Sequence, residues 1–235
     1  MVRRLLFLAL AICTAARGEA AQRTYSVTSF DRIRVEGPYV LDVRTGSSPS
    51  ARAVGDAVGI DRLSIEVQGT TLIVRPDKSD WSGWPGASSG PVRIAVSTPS
   101  LSAVSLNGAP TVSIDRMKGS ALDLQLIGSG SLSVGMIDSD SLTAMASGAG
   151  SLSVAGRVKT AKVALQGAGR LDASQLSAAD VEVTALGNGD ITIGAQRSAR
   201  INAAGSGNVT ISGQGSCIVR QSGAGVVSCA HRQAD

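Results

Sequence analysis

Aromatic side chains are scarce in this 235-residue chain, which holds two Phe, two Tyr and two Trp. A core must therefore be filled by Val, Ile, Leu and Ala, and the aromatic surfaces that sugar clefts commonly use are largely missing. Histidine occurs once, at His231. That removes His-based triads, most zinc sites and any imidazole proton shuttle from the body of the chain. Charged residues make up 17%, below the roughly one quarter of an average globular chain. They are scattered, with no run of five like charges and no basic stripe interleaved with rings, so no nucleic-acid partner is expected.

Two things are plentiful. Hydrophobic residues reach 43%, enough for a packed core at this length. Glycine, with 28 residues, stands well above its usual share of roughly 7%.

Residues 1–20 read as a secretory signal peptide rather than as part of the fold. Met1-Val2-Arg3-Arg4 is basic, and Leu5 to Ala11 is apolar but too short to span a bilayer. The small-residue stretch after it places cleavage next to Ala20, with Ala16 as the other option. Cys13 is preceded by Ile12 where a lipidation site wants a small residue. Removing residues 1–20 takes away Arg3, Arg4, Arg17 and Glu19 and leaves 19 basic against 17 acidic residues. Much of the basic balance therefore leaves with the leader, and no integral membrane span is expected afterwards. The two remaining cysteines, Cys217 and Cys229, are an even pair in an exported chain, as expected of a disulfide.

A small-residue corner recurs through the remainder. Gly-x-Gly stands at Gly128, Gly148, Gly167, Gly187, Gly205 and Gly223, with a degenerate copy at Gly108-Ala109-Pro110. Successive first glycines are 20, 20, 19, 20, 18 and 18 residues apart. That is a solenoid period. Apolar residues fall two, four and six positions before the first Gly, as at Leu122, Leu124 and Leu126, and four and six after it, as at Leu132 and Val134. The residues between are mostly polar, so each repeat reads as a strand, a Gly corner and a second strand. A sandwich would have no reason to repeat the same offsets, whereas stacked coils do. Inward residues as small as Ala144, Ala146, Ala185 and Ala203 predict two walls in close approach.

The N-terminal third reads as irregular coils of the same object. Phe30 to Val35 and Val40 to Val43 form strands, and Leu63 to Val67 and Leu72 to Val74 flank a turn at Gln68-Gly69-Thr70. Residues 76–91 form a Ser/Gly/Pro-rich loop.

On these residues the chain resembles the auto-transporter adhesin head GIN domain family, a domain of unknown function in exported bacterial proteins. The resemblance is carried by Phe30-Asp31-Arg32-Ile33-Arg34-Val35-Glu36-Gly37, Val40 to Val43, Leu63 to Val74, Pro99-Ser100-Leu101 and the serial corners to Gly225. Ile127 and Leu186, just before a corner, depart from a pattern that more often has Ser there. The resemblance implies an all-β, right-handed parallel β-helix-like solenoid with coils of about 20 residues. It also implies adhesion as the role, and it supplies no catalytic residue. The expected organisation is a signal peptide over 1–20 and a single domain over 21–235, with irregular coils at 25–99 and regular ones at 100–229.

Four candidate sites follow. Cys217 lies six before Gly223 and Cys229 six after it, both inward positions, so they should bridge the interior of the last coil. Asp190, Asn208 and Asn188 gather oxygens at one corner, but the nine-residue tandem-Asp pattern of calcium repeats is absent, so turn capping is expected and no metal. Asp138 and Asp140, with Asp123, are the densest acids. No Lys or Arg is expected in register with them, so they are expected to be solvated, and no catalytic residue is assigned. A cleft holding two carboxylates within about 10 Å would instead mark a polysaccharide-active enzyme. Trp81 and Trp84 share one loop and are the binding candidates, through ring contact with a sugar or partner. The sequence thus points to a non-enzymatic exported envelope protein with no cofactor, a binding or structural module in the periplasm or at the cell surface. Its expected partner is an envelope or cell-surface carbohydrate or protein, and a β-helix polysaccharide-active enzyme is the alternative.

Overall fold

The structure, a computed structural model, describes residues 21–77 and 92–232. Stacked coils of about 20 residues form a β-solenoid of about six turns. From β8 (Ala103–Gly108) and β9 (Thr111–Ile114) onward the chain climbs through β10 (Met117–Gly128), β11 (Ser131–Gly148), β12 (Ser151–Gly167), β13 (Arg170–Gly187), β14 (Asp190–Gly205), β15 (Val209–Ser222) and β16 (Val227–Arg232). Each strand pairs in parallel with its equivalent one coil on. The predicted offsets become columns. Val112, Leu132, Leu152, Leu171, Ile191, Val209 and Val227 stand directly over one another, all buried. A second column of Val104, Leu124, Ala144, Val163, Val183 and Ile201 faces inward from the side before the corner. Like aliphatics above one another bury each methyl group against two neighbours, which is how a chain poor in rings obtains a continuous core.

The corner glycines are required by this stacking. Gly187 has φ +119°, and a Cβ there would stand 2.6 Å from the carbonyl oxygen of Gly167 one coil below. That carbonyl accepts hydrogen bonds from the Asn188 and Gly189 amides, each at 2.9 Å. The second corner glycine is equally crowded, since a Cβ on Gly150 would lie 2.6 Å from the Gly130 oxygen. Any side chain would push the coils apart.

The two-walled picture needs correction. In β11 the inward residues are Leu132 and Val134, then Ile137 and Ser139, then Leu142, Ala144 and Ala146. Alternation skips a beat between Val134 and Ile137 and again between Ser139 and Leu142. Each coil therefore has three sides, and Met117, Ile137, Leu176 and Ala178 belong to the third. The third side varies in length. Registers shift between Val134 and Ile137 and between Ala173 and Ser177, which absorbs the changes in coil length from 20 to 18 or 19 residues.

The N-terminal region is not simply stacked in chain order. β2 (Arg32–Glu36), the corner at Gly37 and β3 (Val40–Thr45) form a coil that pairs with β8 and β9. On its other side lie β6 (Thr71–Pro76) and β7 (Arg93–Thr98), which come later in the chain. β4 (Ser50–Gly55) runs antiparallel on β7, β1 (Ala21–Tyr25) antiparallel on β4, and β5 (Leu63–Gln68) antiparallel on β6. β5 and β6 thus form a hairpin about the turn at Gln68-Gly69-Thr70. Helix α1 (Ala57–Asp61) packs against β1 and β4 and buries Ile60 over the end of the core. Buried Thr98 donates its hydroxyl to the Phe30 carbonyl, tying the exit of β7 to the entry of β2.

Candidate functional site

The third sides of β10, β11 and β12 enclose a surface groove of about 500 Å³. Its floor is Gly119, Ser120, Ser139 and Val158, and its charged lining is Lys118, Asp138, Asp140, Arg157 and Lys159. Ser139 is buried and donates to the Ser141 carbonyl at 2.8 Å while accepting from the Ser141 amide at 3.2 Å. The strand is thereby pinned where it turns back toward the first side. Small floor residues between long charged ones make the hollow.

Lys118, Asp138 and Arg157 stand in register on three successive coils. The expectation that no cation stands in register with Asp138 is therefore wrong. The β12 coil is one residue shorter, so the register shift before Ile137 brings Arg157, rather than Val158, over Asp138. Asp138 lies 3.9 Å from Lys118 Nζ and 3.5 Å from Arg157 Nε, and Asp140 lies 2.6 Å from Lys159 Nζ. The hydrogen bond to Asp140 holds the Lys159 ammonium above its ordinary range. Asp123 is elsewhere, on the outer face of the side before the corner, in register with Thr143.

Asp138 and Asp140 are separated by one residue on one strand, about 7 Å between Cα atoms, so the groove meets the distance criterion for a carboxylate pair. Both carboxylates belong to one strand rather than to opposite walls, and both are engaged by cations.

The same alternation of sign recurs up the stack. Lys162, Glu182 and Arg200 share a register column, as do Arg170 and Asp190, and among the described residues every charged pair in register is of opposite sign. Like charges one strand apart repel, so the alternation spares each stacked pair that penalty. At the corner, Asp190 accepts from the Asn208 side chain at 3.1 Å and its backbone amide at 3.2 Å, with Arg170 at 3.8 Å. Ser206 donates to Asn188 at 3.2 Å. The corner oxygens are thus engaged by donors, and no cluster of three or more acidic, His or Cys side chains is placed to hold a metal among the described residues.

On the side after the corner, outward positions form two hydroxyl rows. Thr111, Ser131 and Ser151 make one, and Ser113, Ser133 and Ser153 the other, each residue one coil from the next. The second row continues through Asp172, Thr192 and Thr210. Asp172 is held below its ordinary range by the side-chain and backbone hydrogen bonds of Ser174.

Cys217 and Cys229 are disulfide-bonded, with Cα atoms 6.5 Å apart. Cys217 is fully buried in the column of Ala199, and Cys229 is in the column of Ile211. The bond therefore spans two sides of the last coil, as the offsets predict. Trp81 and Trp84 lie outside the described residues, as does the signal-peptide segment 1–20. No helix among the described residues is long and apolar enough to cross a membrane.

A family profile described as "Putative auto-transporter adhesin, head GIN domain" matches residues 29–215. No curated protein matches the chain. Among solved structures, a putative adhesin from Bacteroides fragilis NCTC 9343 superposes with a TM-score of 0.77 at 22% identity, covering 90% of this chain and 97% of that one. A putative lipid binding protein from Parabacteroides distasonis ATCC 8503 gives 0.73 at 20% identity over 91% and 98% of the two chains. A putative adhesin from Parabacteroides merdae ATCC 43184 gives 0.67 at 18% over 91% and 97%. At these identities the likeness establishes the shared fold.

Proposed function

The chain belongs to the auto-transporter adhesin head GIN domain family, and from that premise we propose that it is an exported, non-enzymatic binding module of the bacterial envelope. The carrying observation is the pair of hydroxyl rows, Thr111, Ser131, Ser151 and Ser113, Ser133, Ser153, repeated coil by coil. A strand spacing of about 4.8 Å makes these rows a regular array of donors and acceptors. Such an array suits an extended, hydroxyl-rich or amide-rich partner, with affinity summed over many weak contacts. Adhesion to an envelope or cell-surface carbohydrate or protein is the role this surface serves, from the periplasm or the cell surface. The lipid-binding name of one neighbour suggests an outer-surface contact at most, because the inward columns are filled by aliphatic side chains. Trp81 and Trp84 are the other binding candidates in this proposal, on the strength of their ring chemistry alone.

The test is a glycan array and envelope-protein pull-down with residues 21–235, alongside Ser131→Lys/Ser133→Lys and Trp81→Ala/Trp84→Ala variants. Retention of envelope material that falls in the Ser variant supports the reading. No retention, or retention untouched by both variants, overturns it. The groove keeps the enzyme alternative in view, because Asp138 and Asp140 share it. Their ion pairing to Lys118, Arg157 and Lys159 favours a charge-matching role.

A further inference from the structure

A second hollow, of about 770 Å³, lies on the outer face of the N-terminal cap. Its middle strand is β7, whose outward residues there are Ala95 and Ser97, both small. The flanking strands carry polar and charged groups. Asp42 and Arg44 project from β3, and Ser50 and Arg52 from β4. In register, Asp42 and Arg52 stand on either side of Ala95, while Arg44 and Ser50 stand on either side of Ser97. The result is a trough along β7 with walls that differ in chemistry at each corner. It does not recur in the regular coils, because it depends on two antiparallel strands added to a parallel pair.

Charge in this trough is unmatched. The Asp/Arg pairs of the regular coils lie within bonding reach, yet Arg44, Arg52 and Asp42 form no ion pair with one another or with any other described residue. Asp115, at the far wall, already accepts at one oxygen from the Thr45 and Arg116 amides (3.0 and 2.6 Å). Ser50 and Ser97 hydroxyls are 2.7 Å apart on the floor, and Ser97 also donates to the Ser48 carbonyl at 2.6 Å. The Cα atoms of Arg44 and Arg52 are about 12 Å apart, from two strand spacings across and two residues along. Two extended guanidinium side chains can therefore converge on one small anionic group held over Ser97.

We propose that this trough binds an acidic carbohydrate, with its carboxylate or sulfate group between Arg44 and Arg52. The guanidinium fork matches such planar or tetrahedral oxyanions. Asp42 then accepts from ring hydroxyls, and Thr24, Ser50 and Ser113 supply the remaining polar contacts. An acidic protein partner fits less well, because the apolar lining residues Val43, Ala51 and Val96 point into the core and leave no exposed anchor of the kind that dominates protein interfaces. The inference rests on the binding role proposed above and names the chemical class of one ligand.

The experiment is isothermal titration of residues 21–235 with an oligogalacturonate, a heparin-derived oligosaccharide and a neutral dextran of similar length. The variants are Arg44→Ala, Arg52→Ala, the double variant, and Lys118→Ala in the other groove. Both arginines are exposed, so thermal melts matching the parent show that the fold is intact. The expected result is binding of at least one acidic oligosaccharide over dextran, weakened about tenfold by each arginine substitution and unchanged in Lys118→Ala. The galacturonate and heparin arms separate a carboxylate from a sulfate ligand. Acidic binding that survives the double variant, or that Lys118→Ala weakens equally, overturns the site. Binding of envelope glycans by the chain without any preference for acidic ones overturns the site and leaves the broader role standing. No carbohydrate binding in any arm overturns the site, and the protein pull-down then decides the broader role.

Discussion

Replacing Gly187 by alanine should cost far more than replacing Gly46, although both glycines have positive φ, +119° and +82°. A positive φ costs an L-residue about 1–2 kcal/mol at Gly46 and about 1–3 at Gly187, which lies further from the left-handed helical well. At Gly46 nothing lies within 4 Å of the added Cβ, so the cost ends there. At Gly187 the Cβ meets the Gly167 oxygen at 2.6 Å, its amide nitrogen at 3.0 Å and its Cα at 3.1 Å, all backbone. The corner must lift, stretching the two bonds that Gly167 accepts from Asn188 and Gly189, each worth about 1 kcal/mol. The total is about 3–5 kcal/mol for Gly187→Ala against about 1–2 for Gly46→Ala. Urea denaturation read by circular dichroism gives both values. Hydrogen exchange should localise the first to the amides of β13 and β14 near the corner. Equal losses in the two variants would refute the stacking argument, because they would leave the backbone conformation as the only cost.

Other outcomes follow from single contacts. Cys217→Ser/Cys229→Ser should lower stability by about 3 kcal/mol in the chain-entropy picture of a loop this size, with β15 and β16 losing exchange protection first. Unchanged protection there would contradict a stapling role. Asp180 is held down to about 2 by its bonds from Arg197 and Ser198. A carboxyl whose folded value lies below its unfolded one adds stability above the unfolded value and loses it as pH falls through the folded one. Its carboxyl carbon should therefore titrate near 2 by NMR and return toward the ordinary range in Arg197→Ala. No movement in the variant would rule that partner out. Leu124→Ala, at a fully buried position, should cost about 2–5 kcal/mol. Ile127→Ser, on the outer face at 43% exposure, should stay within about 0.5 kcal/mol, and a large loss there would place Ile127 in an interface.

The sequence made the corners and the two long sides legible because both follow from a fixed offset to the first glycine. Leu122, Leu124 and Leu126, and Leu132 and Val134, are buried where that offset puts them, and the same offset paired Cys217 with Cys229. The third side was not legible. Ile137 and Leu176 each lie nine residues after a corner, but Gly156, stacked between them, lies eight after its own, since this is where coils gain or lose residues. That slippage also hid Arg157, because a strict repeat aligns Val158 with Asp138 where the ladder aligns Arg157; Lys118, one full 20-residue repeat before Asp138, was legible from the spacing. At the N-terminal end the stack order departs from chain order, so no local pattern could bring β3, β7 and β4 side by side. Asp42, Arg44, Ser50, Arg52, Ala95 and Ser97 are ordinary strand residues in sequence, and only their long-range register makes them a trough.

The division between binding and catalysis can be tested by incubating residues 21–235 with a panel of bacterial and acidic polysaccharides. Retention on the protein and polymer length are then measured on the same samples. The account predicts retention with chain length unchanged. Shortening of any polysaccharide that disappears in Asp138→Asn/Asp140→Asn would contradict it and make the groove across β10, β11 and β12 an active site.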